Sequence, residues 1–359
     1  MVLKKNSYLL KKNNSQHNKI FMKIKKTTQE ITQICKSIRR QILTMTTKAG
    51  SGHVTSSLSG VEIMATLLFG GFFEHPDYQE LKNLESAELN KKLNEIGCDR
   101  FIFSKGHASP LFYSLYYELG ILSDQDLTGF RQFESPLEGH PTPRFAWTEA
   151  TTGSLGQGLG IGVGLALGIG KFGNNLAKER LEEKPENIDL TVQNENYKNI
   201  NLDDQKNLFS NKSSNKLELS IKNPTIPKVF VLLGDSEMAE GSVWEALNAA
   251  SFWQISNLIA IVDLNRLGQT GQTQMGWQSE ILKRKLESFG SLVWEMDGHN
   301  IEETSRVYQE VLNCKEQKPK IIIAKTTKGK GISFLENLEN WHGKALDKNQ
   351  LERALKEII

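Results

Sequence analysis

The sequence predicts an α/β fold, a doubly wound parallel sheet with helices on both faces. In the second half of the chain, residues 229–233 and 258–262 are continuous apolar runs, the pattern of strands buried on both sides. Two further apolar runs, 291–295 and 320–324, repeat this pattern. Since amphipathic helical segments alternate with these strands, a parallel sheet is expected, and such sheets bind ligands at the carboxyl ends of their strands.

The first half of the chain is expected to be mainly helical, because its apolar residues recur at helical spacing. The charged segment 77–97 carries periodic leucines, which is typical of a helix on the surface. The predicted elements, in chain order, are a helix over 27–47, a Gly/Ser loop over 49–60, helices over 61–69 and within 77–97, a strand over 100–103, a loop over 104–110, and helices over 111–119, 242–253, 301–312 and 350–358.

A glycine-rich segment, residues 150–170, has no charged side chain and repeats glycine every four residues from Gly156 to Gly168. Such a stripe also occurs where transmembrane helices contact each other. Its apolar part, 159–169, is about half as long as the roughly 20 residues that a membrane span needs. We therefore expect a buried helix that another backbone approaches closely, and no membrane span.

Composition and charge narrow the class of protein. With 38% hydrophobic and 24% charged residues among 359, the chain is typical of globular proteins. A formal net charge of +2, with no nucleic-acid-binding motif, predicts no nucleic-acid partner. Cys35, Cys98 and Cys314 are too few for a disulfide framework, which favours a cytoplasmic location.

We predict three parts: a polar N-terminal tail over 1–26, one main domain over 27–346, and a C-terminal helix over 347–359. Within the main domain, residues 174–227 hold 11 asparagines and none of the 29 glycines. A segment this poor in apolar residues cannot bury enough surface to order itself, so an exposed low-complexity insertion is expected. The alternative, a partner-binding loop, has no motif to support it.

Histidines mark a candidate pocket. Histidine titrates near neutral pH, and glycine allows the backbone to come close to a ligand. Each alone is typical of an ordinary loop residue, and no pair has the spacing of a zinc site. Together they indicate one polar pocket. The five of the seven histidines that adjoin a glycine are His53, His107, His140, His299 and His342.

A second candidate site lies at the ends of two predicted strands. Asp235 follows Gly234 at the end of the first buried strand, and Asn265 stands just after the second. Neighbouring parallel strands would present the carboxylate and the amide oxygen at one sheet edge, and Mg²⁺ prefers such oxygen ligands. A helix that begins near Gly241 would direct its positive dipole end toward phosphates. A helix cap at Asp235 beside an ordinary loop would give the same spacing, so the pattern alone leaves both open.

The motifs of the chain resemble those of the transketolase family, in particular its N-terminal half, which binds thiamine diphosphate. The spacing from Gly-Asp to Asn is similar to the thiamine diphosphate motif. This resemblance implies the thiamine diphosphate-binding fold, here its diphosphate-binding domain. The matching segments, in family order between residues 49 and 346, are AGSGHVTSSLSG, DRFIFSKGHASPL, LEGHPTP, TGSLGQGLGIGVG, LLGDSEMAEGSVWEA, IVDLNRLGQT, DGHN, KTTKGKG and WHGKAL.

The resemblance also implies roles for matching residues. Asp235, Asn265 and the carbonyl oxygen of Leu267 would bind Mg²⁺, with Ca²⁺ or Mn²⁺ as substitutes. Glu240 and Glu245 match acidic residues near the dimer contact of the family. The histidines implied to face the substrate and handle proton transfer are His53, His107, His140 and His342. The residues implied to bind the cofactor are Lys105, His107, Gly153, Ser154, Leu155, Gly234, Asp235, Ser236, Asn265, Gln269, Lys328 and His342.

Two substitutions and the length of the chain depart from the family pattern. Val54 stands where proline usually follows Gly-His, and Ser236 replaces the usual third glycine of the metal motif. The half of the family that carries the cofactor-activating glutamate has no counterpart in this sequence.

The resemblance therefore implies the N-terminal subunit of a split transketolase. Such a subunit would transfer a two-carbon ketol unit from a ketose phosphate to an aldose phosphate. Its partner would be a C-terminal, pyrimidine-binding subunit, in a dimer of such pairs. A related thiamine diphosphate enzyme with another substrate, a non-catalytic cofactor-binding remnant, and a truncated gene model remain alternatives.

Overall fold

The computed structural model describes residues 21–172 and 226–358. Of the predicted tail, 1–26, residues 21–26 are described, and Phe21–Met22 form a short strand. The predicted insertion, 174–227, lies outside the described residues except for 226–227.

The predicted parallel sheet is confirmed. In the described residues, five strands lie in the order β3-β4-β5-β7-β6, each parallel to its neighbours, while β1 and β2 pair antiparallel elsewhere. Gly234 pairs with Asp263, and Leu264 with Lys325, so the carboxyl ends of three adjacent strands meet at one edge. The strands are β1 (Phe21–Met22), β2 (His75–Pro76), β3 (Arg100–Ile102), β4 (Val229–Gly234), β5 (Leu258–Leu264), β6 (Leu292–Asp297) and β7 (Lys320–Lys325).

Most predicted helices form within a few residues of the expected bounds. The Gly/Ser loop was partly wrong, because Val54–Leu58 forms a short helix whose side chains are all buried. The surface helix within 77–97 is two helices, because the chain becomes extended at Glu85 before the second begins. The helices are α1 (Thr28–Ala49), α2 (Val54–Leu58), α3 (Val61–Phe69), α4 (Tyr78–Leu81), α5 (Ser86–Ile96), α6 (Ser109–Glu118), α7 (Asp124–Thr128), α8 (Gln157–Leu167), α9 (Gly241–Phe252), α10 (Ser279–Ser288), α11 (Ile301–Asn313) and α12 (Lys348–Glu357).

Helices cover both faces of the sheet, as a doubly wound fold requires. On β4, Phe230 and Leu232 belong to the apolar core that contains residues of α1, α3, α6 and α11. Val231 and Leu233, which point the other way, belong to the core with α8, α9 and α10. Each fully buried side chain of this size contributes about 1.5–3 kcal/mol, so both layers stabilise the sheet.

The glycine-rich helix α8 was expected to be buried and to let another backbone approach along the stripe from Gly156 to Gly168, but only one side of the helix is buried. Of the predicted stripe, Gly156 is closely packed, since a Cβ there would lie 2.4 Å from the Ser242 Oγ, and the other close contacts lie on a second stripe. A Cβ on Gly158 would lie 2.2 Å from the Ser104 Oγ, and one on Gly162 would lie 2.5 Å from Val231. The predicted stripe faces open space in this chain at Gly160, Gly164 and Gly168. The sequence places glycine on both stripes, and only the packing of α8 against β3 and β4 distinguishes them.

Two expectations from composition concern the cysteines and membrane-spanning helices. All three cysteines are free thiols, as predicted. Within 21–172 and 226–358, no helix combines the length and the hydropathy that crossing a membrane requires.

A buried histidine makes the stability of this fold depend on pH. His75 is fully buried; its Nε2 lies 2.7 Å from the Leu68 carbonyl and its Nδ1 lies 2.7 Å from the Tyr78 hydroxyl. The carbonyl can only accept, so Nε2 carries the proton of a neutral ring and Nδ1 accepts from Tyr78. Burial lowers the pKa of His75 from 6.5 to about 4.

We expect His75 to reduce stability in acid. As pH falls from 6.5 toward 4, His75 becomes protonated in the unfolded chain but stays neutral in the folded protein. This difference lowers the free energy of unfolding by about 3 kcal/mol. Urea unfolding of the wild type and His75→Gln at pH 7 and pH 4 isolates the effect, because the variant lacks the titrating ring. A stability difference between the two proteins that stays constant over this range would contradict the assignment.

Candidate cofactor and active site

The predicted site residues come together at the carboxyl edge of the sheet. Lys105 follows β3, Asp235 follows β4, Asn265 follows β5 and Lys328 follows β7. The register aligns these strand ends, so four separate parts of the sequence meet at one place. This is the location where sheets of this kind bind ligands.

The three predicted metal ligands lie on two loops that are joined by the carboxylate of Asp235. Its Oδ2 accepts a hydrogen bond from the Arg266 backbone N–H at 2.7 Å, between Asn265 and Leu267. The Asn265 Oδ1 in turn accepts from the Leu267 N–H at 3.2 Å. Arg266 has a left-handed backbone, with φ of 67°, which is uncommon for a residue with a side chain and typical of functional loops.

The donor set suits a hard divalent cation. In the described residues, no group of three or more His, Cys, Asp or Glu side chains is placed to hold a metal ion. The predicted ligands are instead one carboxylate, one amide oxygen and one carbonyl oxygen, the oxygen chemistry that Mg²⁺ takes while keeping positions for water and phosphate. Burial, with the nearby charge of Asp263, raises the pKa of Asp235 to about 6. A bound cation would offset this unfavourable burial of negative charge.

Lys105 makes its contacts behind the metal ligands. Its Nζ donates to Asp263 Oδ2 at 2.6 Å, to the Ser56 carbonyl at 2.9 Å and to the Ser59 hydroxyl at 3.0 Å. Both members of this ion pair are buried, and Thr326 also donates to Asp263. All three ammonium protons are therefore used within the protein. The contact of Lys105 with the cofactor stays a prediction.

Lys328 points toward the predicted metal loop. Its Nζ donates to the carbonyls of Leu267 and Gly268 at 2.8 and 3.0 Å, and lies 3.1 Å from the His342 Nδ1. Burial, with the charge of Lys105, lowers the pKa of Lys328 to about 8. The carbonyl oxygen implied as a metal ligand thus already faces a buried cation, and Lys328 connects the metal loop to the histidine pocket.

Four of the five glycine-adjacent histidines form one cluster, so the prediction of one pocket is wrong for the fifth. The ring centroid of His53 lies 4.8 Å from His342, 5.1 Å from His107 and 6.3 Å from His140. The rings of His107 and His342 are 5.4 Å apart. The fifth, His299, bonds instead to Glu62 and to the Thr327 backbone.

The clustered histidines are neutral at pH 7. Burial and His342 lower the pKa of His53 to about 3, and burial and Lys328 lower that of His342 to about 4. Burial also lowers the pKa of His107 and of His140, with Lys105 and Arg131 adding to it, respectively. Neutral imidazoles can accept hydrogen bonds or protons from hydroxyl groups. The Nδ1 of His53 is buried without a hydrogen-bond partner in the described part of the chain, so it is available to a ligand.

Two of the remaining predicted cofactor residues, Ser236 and Gln269, line a cavity beside Asp235. This cavity of about 220 Å³ is lined by Asp235, Ser236, Gln269 and neighbouring loop residues. A Cβ on Gly153, whose φ is +132°, would lie 2.7 Å from the His140 ring, so only glycine fits there. Gly234 packs under the Lys105 side chain. Ser154 is exposed, and Leu155 is half-buried on the same loop.

The two predicted interface glutamates lie near the start of α9. Glu240 is half-buried and Glu245 is exposed. Their place near a dimer contact stays a prediction.

Three charged residues near the site were not predicted from the sequence. Glu237 accepts from the Gly156 and Gly234 backbone and from a serine hydroxyl, and so connects α8 to β4. Asp263 binds Lys105. Arg131, with φ of 57°, donates to Ser51 at 2.6 Å near the histidines. Asp263 had a usable signal, an aspartate inside a run predicted to be buried on both faces. Glu237 and Arg131 had none.

Comparison with known proteins agrees with this geometry. A family model described as "Transketolase, thiamine diphosphate binding domain" matches residues 31–188 and 205–358. The gap in this match lies inside the predicted insertion. The chain is 34% identical to human transketolase over 330 residues, which are 92% of this chain and 42% of that protein. It therefore spans less than half the length of this relative.

A second relative has a length similar to that of this chain. It is one subunit of the apulose-4-phosphate transketolase of Phocaeicola vulgatus, 28% identical over 320 residues, which are 89% of this chain and 90% of that protein. Among solved structures, transketolase from Campylobacter jejuni superposes with a TM-score of 0.68 at 27% identity, covering 93% of this chain and 43% of that one. The chain belongs to the transketolase family and corresponds to its N-terminal, thiamine diphosphate-binding domain.

Proposed function

We propose that this chain is the diphosphate-binding subunit of a two-chain transketolase. It would transfer a two-carbon ketol unit from a ketose phosphate to an aldose phosphate, with thiamine diphosphate and Mg²⁺. The observation that carries the proposal is the meeting of the Asp235–Arg266 contact and the neutral histidine cluster at one sheet edge. We also propose the division into a polar tail over 1–26, a main domain over 27–346 and a C-terminal helix over 347–359, and a cytoplasmic location.

The residues present fit the cofactor and its metal. Asp235, Asn265 and the Leu267 carbonyl would hold Mg²⁺, whose remaining positions would go to diphosphate oxygens and water. Gly153 leaves backbone space beside His140, and the cavity next to Ser236 and Gln269 is open to a polar group. Thiamine diphosphate supplies a carbanion that can take up and release the ketol unit.

The histidines would handle hydroxyl groups and protons. Because burial keeps His53, His107, His140 and His342 neutral, each ring has one unprotonated nitrogen, which in His53, His107 and His140 could accept from a sugar hydroxyl. In His342 the unprotonated nitrogen is Nδ1, which accepts from Lys328, so its Nε2 would donate to a ligand oxygen. His53 offers its Nδ1, which has no protein partner in the described residues. Lys328, between the metal loop and His342, would place positive charge beside the anionic diphosphate.

The partner chain would supply the glutamate and the pyrimidine-binding surface. Similarity over 90% of the Phocaeicola vulgatus protein, itself one subunit of a transketolase, supports a separate chain of this size. The α8 face that carries Gly160, Ile161 and Gly164 is exposed, and small residues of this kind let a second backbone pack closely. Glu240 and Glu245 lie on the adjoining surface, where we expect the pairs to form a dimer.

We expect the chain to be active only with its partner. The test is to purify the tagged chain from its own cells, identify co-purifying proteins by mass spectrometry, and assay ketol transfer with thiamine diphosphate and Mg²⁺. A stoichiometric second protein, with activity only when both chains are present, is the expected result. A chain that purifies alone and is inactive would contradict the proposal and favour a cofactor-binding remnant.

Assays of the same two-chain complex test which substrate it uses. Ketose phosphate donors of different length and branching, apulose 4-phosphate among them, are offered to one acceptor. Transfer from a straight-chain ketose phosphate supports the proposed reaction. Transfer only from a branched donor would favour a related enzyme with another substrate.

A further inference from the structure

His299, in the DGHN motif, lies outside the histidine cluster and is held by two contacts. Its Nε2 lies 2.7 Å from the Thr327 backbone N–H, and its Nδ1 lies 3.0 Å from the Glu62 Oε2. A backbone N–H only donates, so Nε2 must be the unprotonated nitrogen. The proton of the neutral ring is therefore on Nδ1, where it donates to Glu62.

Glu62 is held in turn from its other oxygen. Its Oε1 lies 2.5 Å from the Arg39 guanidinium, and both side chains are largely buried. Burial alone would raise the pKa of Glu62, but the hydrogen bond from His299 and the charge of Arg39 outweigh it and lower the pKa. Glu62 is thus a carboxylate with a partner for each oxygen, as a buried charge requires.

The network formed by His299, Glu62 and Arg39 holds the loop 327–330 at both ends. His299 binds the N–H of Thr327, and the Arg39 Nε donates to the Lys330 carbonyl at 3.1 Å. Arg39 can come this close because residue 331 is glycine with φ of +94°, where a Cβ would lie 2.6 Å from the Arg39 Nε. Between the two held ends, the loop carries Lys328, whose Nζ reaches the Leu267 carbonyl.

We propose that His299 is a positioning residue, which, oriented by Glu62, fixes the Thr327 N–H and thereby holds Lys328 against the metal loop. This rests on the proposed function only in assigning Lys328 to the cofactor site. The network itself is a property of the free chain. Residues that orient ligands from outside a site typically change affinity by about 10–100-fold when lost.

The first test needs no variant and no cofactor. Nitrogen-15 NMR of the labelled full chain reports which ring nitrogen of His299 carries the proton. A proton on Nδ1 with an unprotonated Nε2 is expected. A proton on Nε2 would overturn the proposal, because that nitrogen could not accept from Thr327.

The second test replaces the ring. In His299→Leu, amide hydrogen exchange at Thr327 is expected to speed up by about tenfold, while the amides of β5 keep their protection. Asn300→Asp is the matched control, because aspartate also caps α11 in the same loop without touching the network. Unchanged exchange at Thr327 would overturn the proposal. If His299→Leu does not fold, Glu62→Gln takes its place, with the same faster exchange expected at Thr327.

The third measurement connects the network to the site. Calorimetric titration with thiamine diphosphate and Mg²⁺ is expected to show about a tenfold weaker affinity for His299→Leu than for Asn300→Asp. Equal affinities with faster Thr327 exchange would overturn the positioning of Lys328. If neither the wild type nor a variant binds the cofactor, even in complex with the partner chain, the proposed function fails, and the tautomer and exchange results still decide on the network.

Discussion

Asp235→Asn is expected to abolish Mg²⁺-dependent binding of thiamine diphosphate and to leave the free protein as stable as the wild type, or more stable. The amide cannot supply the anionic ligand that the cation needs. Burial and the charge of Asp263 raise the pKa of Asp235 to about 6, so above that pH its charge opposes folding. Asp235 would thus lower the stability of the free protein while providing a ligand for the cation, as functional residues often do.

Calorimetry with cofactor and Mg²⁺, alongside urea unfolding at pH 8, measures both parts of this expectation. Asp77→Asn is the matched control, because Asp77 also accepts from two backbone N–H groups but caps a short helix away from the sheet edge. We expect the control to bind cofactor like the wild type. Unchanged affinity in Asp235→Asn would remove Asp235 from the metal site.

Lys105→Met is expected to destabilise the fold by about 3–5 kcal/mol, because it leaves the buried carboxylate of Asp263 without its counter-charge. Burial alone would raise the pKa of Asp263, but Lys105 and the hydroxyls of Ser59 and Thr326 outweigh it and lower the pKa. The carboxylate would therefore stay charged in the wild type and be unpaired in the variant.

Urea unfolding tests this expectation. The double variant Lys105→Met/Asp263→Asn should recover much of the loss, since no unpaired charge remains. Lys92→Met, from the half-exposed Lys92–Glu95 pair, is the control and should change stability by less than about 1 kcal/mol. A cost for Lys105→Met no larger than that of the control would show that Asp263 does not depend on the pair.

Asp235→Asn and Lys105→Met distinguish the residues that would bind the cation from the buried ion pair behind them. Asp235 faces the cavity and is held by backbone N–H groups. Lys105 and Asp263 lie behind it, where their charges are satisfied within the protein. Loss of the first should therefore affect binding, and loss of the second should affect folding before it affects binding.

The sequence by itself determined the sheet and the place of the site. The apolar runs of β4 and β5 are long enough to be recognised as buried strands, and residues that follow parallel strands necessarily share an edge. Asp235 and Asn265 could therefore be placed together without coordinates. Glycine next to histidine likewise identified five rings, of which four meet in one pocket.

Only the tertiary structure decided which of several equivalent residues does what. Glycines stand on both stripes of α8, and the packing of β3 and β4 selects Gly158 and Gly162 for close contact. His299 has the same glycine neighbour as the clustered histidines, yet it binds Glu62, which is far away in the sequence. The local sequence pattern indicates whether a segment forms a helix or a strand. The partner of a buried charge depends instead on contacts between segments that are distant in the sequence. Glu62 and Asp263 therefore acquire their partners only when the chain folds.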